Sequence, residues 1–176
     1  TIIEVVVGVA ILGIIAAMVV GSVVVMQQRS DVDSSAQALI GALQLAQNKT
    51  LASESNSQYG VYLNTATSPH SYIMFKGASY SSRDVAYDQT SWLSKTEFSS
   101  INLGGGNEVG FNRITGSSQQ SGSVVVRSTT DAAELKTVYL STSGAAGLVA
   151  FPAPSDASRV KDSRHIHLNY SRTINT

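Results

Sequence analysis

The sequence predicts an α+β chain in which one long N-terminal helix packs on an antiparallel β-sheet. Three observations lead there. No proline or cluster of turn residues interrupts the chain from Thr1 to about Ser53, a long stretch for a helix in a globular protein. Apolar residues change their spacing along it, from a continuous run to Val32, Ala36, Leu39, Leu43 and Ala46 at steps of three and four, the period of one helix face. Past Ser53, short β-branched and aromatic segments alternate with Gly, Asn and Pro turns, the pattern of strands.

The helix divides in two. Residues 1–28 contain the 22 uncharged residues Val5 to Met26, and the next charge is Arg29. At about 1.5 Å per residue such a run covers a hydrocarbon layer of about 30 Å, so a membrane span or an apolar core is expected. Glu4 and the glycines Gly8, Gly13 and Gly21 do not suit a simple anchor. A carboxylate in apolar surroundings is costly unless a cation or donors meet it, and an α-amine is the only cation at that depth. Glycine loosens a helix once protein neighbours replace lipid. Residues 29–54 form the amphipathic half, with Gln37, Gln44 and Asn48 away from the apolar stripe. The whole helix is then about 50 residues and about 75 Å long.

Residues 55–176 read as a β-rich globular domain. Ser57 to Leu63 and Ser71 to Lys76 form a hairpin around Asn64 to Pro69, followed by a loop from Gly77 to Ser94 that leaves Trp92 as a cover or a contact. Further strands are expected at Glu97 to Leu103, Glu108 to Ile114, Ser123 to Arg127, Leu135 to Ser141, Gly147 to Phe151 and His165 to Tyr170. Turn signals at Gly104 to Asn107, Gly116 to Gly122 and Pro152 to Pro154 separate them.

Composition narrows the function classes. Twelve basic and 12 acidic residues give a formal net charge of zero, so no global field draws the chain to nucleic acid. The tail is slightly basic, with Arg159, Lys161, Arg164 and Arg172 against Asp156 and Asp162, too little for extensive phosphate neutralisation. Cysteine is absent, which excludes disulfides and thiolate chemistry. Gly104 to Gly110 fails the phosphate-loop pattern at Val109. His165 and His167 share a strand face but lack a third ligand. Asp84 and Asp88 lack the spacing of a calcium loop. Asp31 and Asp33 read as solvated helix surface or as partners for neighbouring copies. No serine is joined to a base by a known motif. No enzyme, cofactor or metal is expected.

Thr1-Ile2-Ile3-Glu4-Val5 through Ile11-Leu12-Gly13-Ile14-Ile15-Ala16-Ala17 resembles the N-terminal signature of type IV pilins and type II secretion pseudopilins. The resemblance covers about the first 25 residues. It implies a leader cut by a prepilin peptidase and an N-methylated first residue, commonly Phe, which would precede Thr1 here. It places Glu4 at the family's conserved glutamate, which meets the N-terminal amine of a neighbouring subunit, so that Thr1, Glu4, Gly13 and Gly21 are the assembly residues. Gly21 stands where many pilins have proline, and the helix between Gly13 and that point commonly melts in the filament. The run from Gly110-Phe111-Asn112 through Gly116 and Val124-Val125-Val126 to Ser143-Gly144 more loosely resembles the GspH/FimT class of minor pseudopilins and pilins. The family implies a pilin-like fold, storage in the cytoplasmic membrane, and a homo-oligomeric helical filament on the cell surface built by a pilus assembly machinery. The alternative within the resemblance is a minor pseudopilin or tip subunit of a secretion or DNA-uptake machine, with Trp92 and the tail residues Arg159, Lys161, Arg164 and Arg172 contacting a ligand or DNA.

Overall fold

The structure, a computed structural model, describes residues 1–150, with the side chains of residues 16–24 left out. Helix α1 spans Ile2–Leu51. It ends where Ala52 N–H donates to Asn48 O at 2.9 Å and Ser53 turns left-handed at φ 50°. Thr50 ties this end to the sheet. Its buried Oγ1 donates to Ala46 O at 2.8 Å and accepts from Tyr59 N at 2.9 Å.

Eight strands follow: β1 Tyr59–Asn64, β2 Ser71–Lys76, β3 Gln89–Trp92, β4 Thr96–Asn102, β5 Glu108–Gly110, β6 Gly122–Ser128, β7 Leu135–Leu140 and β8 Ala146–Gly147. They form two antiparallel four-stranded sheets, ordered β3-β2-β1-β5 and β4-β6-β7-β8. The stripe read from the sequence, Val32, Ala36, Leu39, Leu43 and Ala46, is buried. All of it but Val32 joins one core with Val61, Leu63 and Val109 of the first sheet and Val124, Val126, Val138 and Leu140 of the second. Each fully buried aliphatic side chain stabilises by about 1.5–3 kcal/mol, so this face holds the helix to both sheets.

The α+β class and the antiparallel pairing stand, with four differences. The β domain is two sheets instead of one, because the chain leaves β3 through Leu93–Lys95 and β4 pairs with β6. The expected loop Gly77 to Ser94 contains β3, whose exposed Gln89 and Thr90 and half-buried Ser91 carry little apolar signal. The strand expected to reach Ile114 stops at Gly110. Asn112 and Ser117 close a turn there, and Ile114 is left exposed. Finally, β8 is only two residues long. Phe151 and the expected strand His165 to Tyr170 lie outside the described residues.

Strand β2 is buried on both faces. Tyr72 and Met74 join the core, while Ile73 and Phe75 face the other way. The loop after β2 covers them. Tyr80 stacks on Tyr62 at 3.8 Å and meets Phe75 edge-on at 5.7 Å, and the Arg83 guanidinium lies 3.7 Å over Tyr80. Gly60 allows this arrangement, because a Cβ there would sit 2.5 Å from both the Phe75 ring and Val109 O.

Candidate assembly surface

Packing splits α1 into two different surfaces. From Val32 onward, one side of the helix is buried in the domain. From Thr1 to Ile15, every residue is exposed, with Ile2 at 87% and Leu12 at 68%. A side chain added at Gly8 or Gly13 would meet nothing within 4 Å. Within the chain, then, neither glycine serves a close contact. Among the described residues no helix is long and apolar enough to cross a membrane. The undescribed side chains of 16–24, Gly21 among them, fall inside the uncharged run Val5 to Met26.

Glu4 lies near the tip of this apolar surface. Its side chain is more than four-fifths exposed. In water that charge is readily solvated, whereas buried among apolar helices the same carboxylate would demand a cation.

A collar grips α1 where it enters the domain. Gln28 donates to Thr130 Oγ1 at 3.1 Å, Arg29 pairs with Glu134 at 2.8 Å, Asp31 with Lys95 at 3.1 Å and Asp33 with Lys136 at 3.3 Å. The Glu134 hydrogen bond, assisted by its charge, holds the Arg29 guanidinium above its ordinary pKa. Arg29, Asp33, Glu134 and Lys136 also line a cleft of about 460 Å³. Its charges are already matched, so the cleft offers a ligand no unpaired charge. Asp31 and Asp33 lie on partly exposed helix surface, and each pairs with a lysine of its own chain, from the second sheet or its approach. Spacing along the helix carries no trace of those partners.

The remaining sequence-derived sites resolve as follows. Trp92 is on β3, 59% exposed, and not folded back as a cover. Arg159, Lys161, Arg164 and Arg172, with His165 and His167, lie outside the described residues. Asp88 pairs with Arg83 at 2.8 Å, an interaction that raises the Arg83 pKa through the hydrogen bond, and Asp84 lies 3.8 Å from Lys76. Among the described residues no cluster of His, Asp and Glu could hold a metal. Gly104 and Gly106 have φ of 72° and 109° in the β4–β5 turn. Asn48-Lys49-Thr50 matches the N-x-T pattern of a glycosylation acceptor, but it sits in α1 with its threonine hydroxyl buried and bonded.

No protein-family model, curated protein or solved structure matches this chain.

Proposed function

We propose that this chain is the structural subunit of a type IV pilus-like filament, a pilin-like protein held in the cytoplasmic membrane and polymerised through the first half of α1. The observation that carries the reading is one helix with two fates. Its second half buries its apolar face in its own domain, while residues 2–15 leave theirs exposed. Removing that surface from water drives association, and side-by-side copies of the helix supply matching apolar cover. Gly8 and Gly13, open on all sides in the subunit, allow neighbouring helices to approach closely. Glu4 then sets the register, because a carboxylate inside the bundle must lie against an amine of the next copy. The two sheets form the outer shell. Maturation by a prepilin peptidase and assembly by a pilus machinery belong to the same reading.

Cryo-electron microscopy of filaments sheared from cells tests it. Helical density that follows this sequence makes the chain the repeating unit. Filaments built from another protein make it a minor subunit of a pilus or secretion machine. Glu4→Ala is expected to abolish efficient assembly while the β domain keeps its fold by circular dichroism. Wild-type filament yield from that variant would remove the register argument.

A further inference from the structure

Sheet edges expose unpaired backbone groups, and proteins close them with bulges, caps, charges or very short strands. Three of the four edges among the described residues are closed in this way. On β4 a bulge falls between Phe98 and Ser100, and His70 Nδ1 accepts the Phe98 N–H at 3.0 Å. On β5, Gln119 N–H donates to Gly110 O at 2.9 Å, and Gln120 Oε1 accepts from Gly110 N at 3.3 Å. Strand β8 has only two residues.

The fourth edge, β3, has none of these devices. It pairs with β2 on one side, and among the described residues no hydrogen bond closes its other side. Gln89-Thr90-Ser91-Trp92 contains no charge and no proline. The neighbouring charges have counter-charges within the chain, Asp88 in Arg83 and Lys95 in Asp31, although Asp88 Oδ1 is buried without a hydrogen bond. Trp92 and Thr90 are exposed on the face that also carries Ile73 and Phe75.

We propose that β3 is a self-association edge, at which two copies of this chain join their first sheets as antiparallel strands about a twofold axis. Its chemistry selects such a partner. A charged segment would find no counter-charge here, whereas β3 meets its own copy without like-charge repulsion, and backbone hydrogen bonds supply the affinity. Trp92, a residue type that anchors interfaces, flanks the pairing on each side. Four-residue strands bury far less than the roughly 1,000 Å² of a stable interface, so the contact is weak singly and strong when repeated along polymers. A polar filament repeats head-to-tail contacts, so a twofold contact falls between filaments and bundles them. That placement rests on the filament reading above; the pairing itself does not.

The chain has no cysteine, so single substitutions Gln89→Cys, Thr90→Cys and Ser91→Cys, made in the full-length chain in its membrane, report the pairing under mild oxidation. Directly opposed strand residues fall within disulfide range. At least one of the three is expected to give covalent dimers several-fold above Ser100→Cys, a control on the bulged β4 edge. Trp92→Ala added to that variant is expected to lower the yield. Dimers no more abundant than in the control would overturn the proposal. So would dimers seen only after removal of residues 151–176, because the chain's own tail would then be the occupant. In electron micrographs Thr90→Lys is expected to disperse bundles without changing filament number, and bundles that persist would overturn the placement between filaments. Dimers without any filament would retain the β3 pairing and sink the filament reading.

Discussion

Gly122 opens β6 with φ 146°, and a Cβ there would lie 1.9 Å from Asn102 O. Both atoms belong to backbone held in a strand pair, so neither can give way. Gly122→Ala is expected to destabilise the domain by roughly 3 kcal/mol or more, read by denaturant unfolding of the full chain in detergent. The opposite sign is expected a little past α1. Ser53, Ser55 and Asn56 have φ of 50°, 50° and 53°, and left-handed backbone costs a residue with a Cβ about 1–2 kcal/mol. Ser55→Gly is therefore expected to raise stability by up to about 1 kcal/mol, once the greater chain entropy of glycine is deducted. The glycine turn was legible as a break in the sequence. The serines were not, because serine has no preference for that conformation and only the route from α1 into β1 imposes it.

At the scale of elements, α1 is held by two kinds of contact that differ in strength. Leu43 is buried between helix and sheets, and Leu43→Ala is expected to cost about 2–5 kcal/mol. Asp33 and Lys136 are about half exposed, and Asp33→Asn is expected to cost at most about 1 kcal/mol. Unfolding with and without 1 M salt separates the two, since salt screens the second contact and leaves the first. The apolar stripe was visible because a helix face repeats with a fixed period. The collar was not. An aspartate on a helix looks the same whether its lysine comes from β4's approach, from β7 or from another molecule.

For the molecule as a whole, the charges bear on the polymer proposed above. Among the described Lys and Arg residues, every one except Arg113 has a carboxylate partner within its own chain. Arg113 instead donates to Asn56. Few charges remain for pairing between β domains, while the apolar residues 2–15 remain uncovered. Filaments of this chain are expected to persist at 1 M salt and to dissolve in mild detergent, as followed by sedimentation. Loss of filaments in salt alone would shift the cohesion from the helices to the β domains.

The sequence by itself determined the long helix, the buried stripe of its second half and most strand positions. These rest on local periods, turn residues and runs without charge, which any stretch of chain displays on its own. Only the tertiary structure decided that the strands divide into two sheets, that β3 forms inside an expected loop, which cations neutralise Asp31 and Asp33, and which sheet edge stays open. Those depend on partners distant along the chain, such as Lys95 for Asp31 and Glu134 for Arg29. A strand's alternation tells which face is buried but is silent on which strand lies beside it.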